Sequence, residues 1–352
     1  MKAALVSGFW AQNIGNAYFN IGGKWILEQV FGPDNVQFIQ DQPSYRTFYP
    51  QHKGRPNNYA KVLDRLDVEY VFLQGPLLTS NLKHIWGDTF KEYRRRGVKI
   101  CLIGAAFFKY TQSEIDDVRS FLKEHPVSLI STRDSETYKH IKDLSPYTFD
   151  GIDSAFFVPK AFIPIPLVEP YVTFNFDRFP EPNLIENSLT PKFEFNSKQY
   201  GIEIPKIQDF FSHRGKSQAY LGHLLDRRKL PSKFEGYDII RPEHRYAPHM
   251  THKIYQHPNS FVSDEPFTYF SIYAGTKLTL ADRVHACVMT LAYGNPAMLF
   301  TPSPRQALFS RLGLDKIREE PVTLDLTYLE QERKKVIEFL RNSIAQLEEK
   351  NS

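Results

Sequence analysis

The residues best suited to chemistry in this chain of 352 residues are Arg283 and His285. They stand in Leu278-Thr279-Leu280-Ala281-Asp282-Arg283-Val284-His285-Ala286-Cys287-Val288-Met289. That stretch begins as an apolar strand and ends as a helix closed by Gly294-Asn295-Pro296. On extended chain, side chains two apart point to one side. On a helix they diverge by about 200°. A joint role therefore expects the chain to stay extended through Val284. The helix that follows offers free backbone N–H groups to an anion, and Arg283 adds a fork of donors. The positive end of a helix opposes an imidazolium. A bound anion would reverse that and leave His285 a usable acid at neutral pH. A capped helix with a structural Arg–Asp pair and a packed histidine explains the same residues. Chemistry alone leaves the two readings level.

Other polar residues stand at strand-to-helix turns. Gly8-Phe9-Trp10-Ala11-Gln12-Asn13-Ile14-Gly15-Asn16 follows the first apolar run and opens the first long helix. It is not a dinucleotide fingerprint, and Gly22-Gly23 lie too far inside the helix to serve as one. Gly15 and the side chains of Asn13 and Asn16 are candidate ligand contacts, although an N-cap explains either asparagine slightly better. In Ile130-Ser131-Thr132-Arg133-Asp134-Ser135-Glu136-Thr137, Asp134 or Ser135 caps a helix. Capping does not explain Arg133. Asp153 ends a further apolar stretch. Arg241-Pro242-Glu243-His244-Arg245 follows a strand and would line a cleft through His244 or lie in a solvated loop, which is the simpler expectation. His213, Arg214 and Arg227-Arg228-Lys229 read as surface.

Elements that would position these residues alternate along the first half. Apolar runs at Ala3 to Phe9, Val36 to Ile39, Tyr70 to Leu73, Lys99 to Ile103 and Val127 to Ser131 are separated by amphipathic stretches. Short links between them predict βαβ units and a parallel sheet, with ligands at the carboxyl ends of the strands. Four prolines between Pro159 and Pro170 mark a boundary. A second α/β segment opens at Tyr171 to Phe176. Residues 177–235 are polar and aromatic with weak periodicity, and read as an irregular insertion. Alternation resumes at Tyr237. Leu329, Val336, Phe339, Leu340, Ile344 and Leu347 share one face of a last helix, from about Tyr328 to Leu347. The expected organisation is a Rossmann-like domain over 1–165, a second over 166–326 with the insertion, and a helix over 327–352.

Composition narrows the class. Hydrophobic residues make up 41% and charged residues 24%, ordinary for a globular protein and enough to build a core without disulfides. The net charge of +4 is no basic stripe, so a nucleic-acid partner is not expected. It suits an acidic small-molecule substrate. Aromatics reach 14%, which fits either a ring-rich core or a carbohydrate-handling cleft. Cys101 and Cys287 sit in apolar surroundings and read as reduced, buried thiols. No cysteine spacing suggests a metal site. No apolar run approaches the roughly 20 residues that span a bilayer, and the amino end is too short for a signal-peptide core. A cytoplasmic location is expected.

Taken together, the Asn13–Asn16 loop, Thr132-Arg133-Asp134-Ser135-Glu136-Thr137, Asp153-Ser154-Ala155-Phe156, and Asp282-Arg283-Val284-His285 through Tyr293-Gly294-Asn295-Pro296 resemble the polysaccharide pyruvyl transferase family. The Arg-x-His followed by a small-residue helix and Gly-x-Pro is the most specific part. Members often carry an acidic residue where Asn16 stands, and a glycine run where this chain has Gln74-Gly75-Pro76. The insertion lies outside the likeness. The resemblance implies an α/β fold of two Rossmann-like domains facing a cleft, as in GT-B glycosyltransferases, with an amphipathic C-terminal helix. It implies transfer of pyruvate from phosphoenolpyruvate to a sugar of a polysaccharide or its lipid-linked precursor, giving a ketal. Arg283 would grip the anion, His285 would be the general acid and Arg133 a second anion contact. Asn13, Gly15, Asn16, Asp153, Val284 and His244 complete the expected substrate contacts. Asp153 and Asp282 are the candidate bases. No metal or cofactor is demanded by this route. The run Arg94-Arg95-Arg96 would suit peripheral contact with an anionic membrane, but a solvated helix end explains it as well. A nucleotide-sugar glycosyltransferase of the same architecture and a non-catalytic binding protein are the competing readings.

Overall fold

The structure is a computed structural model that describes residues 1–8, 10, 13–40, 62–177, 179–205, 225–226, 228–244 and 256–350. Two sheets organise it, one parallel throughout and one parallel but for an edge strand. The first has the order β2-β1-β3-β4-β5-β6, built from β1 (Ala3–Ser7), β2 (Val36–Gln40), β3 (Tyr70–Leu78), β4 (Lys99–Phe107), β5 (Leu129–Thr132) and β6 (Thr148–Asp150). Every pairing is parallel. The apolar runs are continuous because both faces are covered. On one face Leu5, Phe72, Cys101, Ile103 and Leu129 join a core with α1 (Gly15–Phe31). On the other, Val71, Leu73, Ile100, Leu102 and Ile130 meet α2 (Leu82–Arg95) and α3 (Gln112–Glu124). β3 runs past Leu73, where the sequence suggested its end, through Gly75 and Pro76 to Leu78. Its pairing with β4 shifts register there. After β5 comes α4 (Ser135–Ile141). After β6 a 3-10 turn (Ser154–Phe157) runs into α5 (Val158–Ala161).

The second sheet has the order β11-β12-β7-β14-β15. It comprises β7 (Tyr171–Asn175), β11 (Lys233–Phe234), β12 (Tyr237–Pro242), β14 (Thr279–Ala281) and β15 (Ala297–Leu299), with β13 (Ser260–Phe261) beside β12. Strands β12, β7, β14 and β15 are parallel, and β11 is antiparallel to β12. The chain crosses from β12 on one side of β7 to β14 on the other, so the switch point lies at β7. The insertion is ordered in part. β8 (Asn183–Glu186), β9 (Phe193–Phe195) and β10 (Lys198–Glu203) form an antiparallel sheet. Its Phe193 and Tyr200 pack with Val172 and Ile239 of the second sheet. Weak periodicity hid these strands, because they are short and few of their residues are buried. His213, Arg214, Arg227 and Arg245 lie outside the described residues.

Helices α6 (Phe267–Gly275), α7 (Val284–Ala292) and α8 (Ala307–Ser310) belong to this half, and α9 (Leu326–Glu349) closes the chain. Helix α9 begins two residues earlier than expected and returns to the first sheet. Its Leu329, Val336, Leu340 and Ile344 are buried in the core that α1 shares. Each fully buried side chain of this size contributes about 1.5–3 kcal/mol. Polar contacts fix the register of α9. The Arg333 guanidinium donates to the carbonyl of Phe156, Arg341 donates to that of Gln29, and Glu348 meets Tyr70 and Lys99. Asp325 caps its amino end. The Arg94-Arg95-Arg96 run is a helix end, in which Arg95 pairs with Glu92 and Arg96 donates to the Asp64 carbonyl. Both cysteines are buried and free, and burial pushes both thiols well up.

Candidate active site

The carboxyl ends of the two sheets meet around His285. Arg283 is extended (φ −111°, ψ 120°) and is the N-cap of α7, whose first residue is Val284. The chain is therefore not extended through Val284, and His285 lies in the first helical turn. The reason is local. Asp282 donates its N–H to the Asn175 carbonyl, holding the chain as strand, and helix follows as soon as that ladder ends. The two side chains consequently meet different carboxylates. Arg283 pairs through Nε with Asp177, and His285 Nε2 lies 3.6 Å from Asp153 Oδ2. Val284 is half-buried and packs on the core.

Arg133, at the carboxyl end of β5, is wholly buried. Its Nη1 donates to Asp153 Oδ2 at 3.0 Å. Asp134 caps α4, accepting from the Thr137 N–H at 2.7 Å. Arg133 is thus free of any capping duty. Asp153 does not end a strand. It lies three residues beyond β6, and its Oδ1 caps the 3-10 turn by accepting from Ala155 N at 2.9 Å. Burial alone would raise the Asp153 carboxyl, but His285, Arg133 and the Ala155 N–H together hold it well below the usual carboxylate range. It stays ionised and commits both oxygens to protein partners, which argues against it as a base. Among the described residues Arg133 Nε and Nη2, Arg283 Nη2 and His285 Nε2 have no hydrogen-bond partner. Buried donors are ordinarily satisfied, so the open nitrogens of Arg133 and His285, which share Asp153, point to a ligand.

The first helix brings its amino end here. A Cβ at Gly15 would stand 3.3 Å from both Cβ and Nδ1 of His285, so a bare backbone permits the approach. Asn13 Nδ2 donates to Asn16 Oδ1 at 3.3 Å. Neither asparagine caps α1, whose N-cap is Ile14 without a side-chain bond. Deeper in α1, a Cβ at Gly22 would meet the Ser154 carbonyl oxygen at 1.8 Å. That glycine lets α1 lie on the turn that presents Asp153.

The Arg241–His244 stretch is not a solvated loop. Arg241 forms a buried bidentate pair with Glu181, at 2.8 Å on each arm, and Glu243 and His244 are buried too. Burial lowers the His244 imidazole to about 3, against the opposing pull of Asp177. His244 is therefore neutral and interior, and not at a cleft wall. Burial, Asp177 and Asp282 raise the Glu243 carboxyl well above its ordinary value, so it keeps its proton. Asp282 accepts from the Phe179 N–H at 2.7 Å. Sequence reasoning missed Asp177, Tyr18 and Tyr273. Only Asp177 had a signal, as a polar residue ending the apolar run from Tyr171. Among the described residues no group of three or more metal-ligating side chains is assembled, and no helix is long and apolar enough to cross a membrane.

Fold and site define an α/β protein of GT-B-like architecture with a centre of paired arginines, carboxylates and a histidine at its strand-to-helix turns. The chain belongs to the polysaccharide pyruvyl transferase family, whose model matches residues 13–304. It is therefore a member of a transferase family. No curated protein matches it. Among solved structures, a UDP-N-acetylglucosamine 2-epimerase superposes with a TM-score of 0.50 at 10% identity, covering 97% of this chain and 90% of that one. That likeness shows the fold alone. The UDP-GlcNAc 2-epimerase from Neisseria meningitidis, bound to UDP-GlcNAc, gives 0.48 at 12% identity over 97% and 99%. A putative UDP-N-acetylglucosamine 2-epimerase from Listeria monocytogenes gives 0.49 at 8% over 98% and 90%.

Proposed function

We propose that the protein transfers pyruvate from phosphoenolpyruvate to a sugar of a polysaccharide or its precursor, forming a ketal. The observation that carries this reading is the Arg133–Asp153–His285 cluster. It places a buried guanidinium with two unpartnered nitrogens beside a histidine at a helix amino end. Phosphoenolpyruvate, which bears a phosphate and a carboxylate, suits such a place. Arg133 and the amino ends of α1 and α7 hold the anion, and Arg283, braced by Asp177, adds its positive charge.

His285 gives its proton to the methylene carbon, which becomes a methyl group, and cationic character develops on the carbon bearing phosphate. A sugar hydroxyl oxygen bonds to that carbon and its proton returns to His285. The carbon–oxygen bond to phosphate breaks. A second hydroxyl of the same sugar closes the ring, and its proton leaves on phosphate. Asp153, ionised throughout, faces the ring that carries the proton. Arginines that neutralise the leaving phosphate lower the barrier to its departure. The work is assigned to side chains of this chain, without a metal or cofactor.

The test is incubation with phosphoenolpyruvate and a panel of galactosides and N-acetylhexosaminides, following phosphate release and ketal formation. Turnover that depends on His285 is expected. Thermal stabilisation by nucleoside diphosphates, with none from phosphoenolpyruvate, would instead support a nucleotide-sugar glycosyltransferase.

A further inference from the structure

We propose that His244 is a positioning residue that locks the Arg283 side of the site to the first helix, holding Arg283 and His285, both at the start of α7, in place against α1. The inference rests on the pyruvyl-transfer reading and adds a residue to it.

His244 makes contacts in four directions. Its carbonyl accepts from the Ile14 N–H at 2.9 Å, just ahead of α1. Its own N–H donates to Asp177 Oδ2 at 2.8 Å, while the other oxygen of Asp177 takes Arg283 Nε. Its ring Nε2 lies 2.6 Å from the Tyr273 hydroxyl of α6 and 3.3 Å from the Tyr18 hydroxyl of α1. The Tyr18 ring stands edge-on to His285, centroids 6.4 Å apart. The same turn of α1 presents Gly15 to His285. A continuous path therefore runs Arg283–Asp177–His244–Tyr18–His285, through groups from both halves of the chain. Tyr269 steadies the elbow by donating to the Glu243 carbonyl at 2.6 Å.

The path is a brace and not a proton wire. The groups facing the imidazole are Tyr18 from α1, Tyr269 and Tyr273 from α6, Asp177 beyond β7, and Arg283 and His285 at the start of α7. Burial keeps the ring neutral and holds the Tyr18 and Tyr273 hydroxyls protonated. None of the three changes charge near neutral pH.

His244→Phe, His244→Gln, Tyr18→Phe and the pair His244→Phe/Tyr18→Phe test this, with steady-state kinetics in phosphoenolpyruvate normalised to folded protein. His244→Phe leaves buried hydroxyls unsatisfied, and about a tenfold fall in kcat/KM is expected. Part of it should appear as a raised KM, which a loss of folded protein alone does not change. His244→Gln, which keeps a hydrogen-bonding amide, should recover most of it. Tyr18→Phe should act in the same direction, and the double variant should lose no more than His244→Phe alone. An unchanged KM in both His244→Phe and Tyr18→Phe, or strictly additive losses, overturns the proposal. A displaced acid limb of the pH–rate profile in His244→Gln also overturns it, because His244 would then carry a proton. Where His244→Phe does not fold, Tyr18→Phe and His244→Gln still decide. Amide exchange at Ile14 and the first turn of α1, without substrate, should quicken in the variants. Unchanged exchange overturns the brace even if no acceptor sugar is ever turned over, so its failure and that of pyruvyl transfer are separable.

Discussion

At the residue scale, two buried side chains, His285 and Arg133, and the part-buried Arg283 divide the work. His285 is assigned the proton, and His285→Ala should lower kcat by about 10²–10⁴-fold with the circular dichroism spectrum unchanged. Full phosphate release by that variant removes His285 from the role. Arg133 holds Asp153 and offers its remaining nitrogens to the anion. Arg133→Met should abolish turnover and also strand the Asp153 charge. Breaking a buried pair from one side costs about 3–5 kcal/mol, measurable as a lowered denaturant midpoint. Arg283 pairs with Asp177 and lies near Asp282, as Arg133 pairs with Asp153 and lies near Asp134, so each guanidinium is already partnered before an anion arrives. Its motif made Arg283 conspicuous in the sequence, whereas Arg133 stood out only as the residue that capping did not explain.

At the element scale, α1 is the part that places the site. An interior helical glycine replaced by alanine ordinarily gains up to about 1 kcal/mol of helix propensity. Gly22→Ala should do the opposite, because its methyl would collide with the Ser154 carbonyl. A large fall in melting temperature, or no soluble protein, is expected. Gly15→Ala meets His285 at a distance the neighbour can yield to. It should fold nearly as well as wild type and lose activity. Comparing melting temperature with kcat across the two variants checks this, and equal losses in both would contradict the assignment. Helix α7 contributes its amino end and little surface, since nearly all of it is buried. Its strand-to-helix break one residue early turns Arg283 and His285 onto separate carboxylates.

At the scale of the whole molecule, buried titratable groups set the dependence of stability on pH. His244 in the fold titrates at about 3, below the ordinary 6.5. As pH falls below 6.5 the unfolded chain takes up a proton that the folded chain refuses, so stability is lost towards pH 3. Asp153, held low, adds a loss in the same direction at more acid pH. Melting temperature should therefore change between pH 7 and pH 4 differently in His244→Gln, which should lose less on acidification than the wild type. Glu243 works in reverse. Its proton is retained in the fold, so its contribution is present at low pH and lost as pH rises. Glu243→Gln should raise the melting temperature at pH 8 and leave it unchanged at pH 4. A variant that behaves alike at both pH values would show that Glu243 is not held protonated.

The sequence by itself determined the parallel sheets, the strand-to-helix turns and the motif around Arg283, because each is written in neighbours along the chain. Apolar runs bounded by turn residues mark strands, and one-sided spacing marked α9 to within two residues at each end. The same local signals placed Arg133 and His285 at carboxyl ends of strands and carried the likeness to the family. Partnerships were beyond it. Arg133 meets Asp153 across 20 residues, Arg283 meets Asp177 across 106 and Tyr18 meets His244 across 226. Such pairs form because burial forces charged and polar groups to find one another in space, and no spacing along the chain records which will meet. Only the tertiary structure made His244 an interior brace, left Glu243 its proton and divided Arg283 from His285.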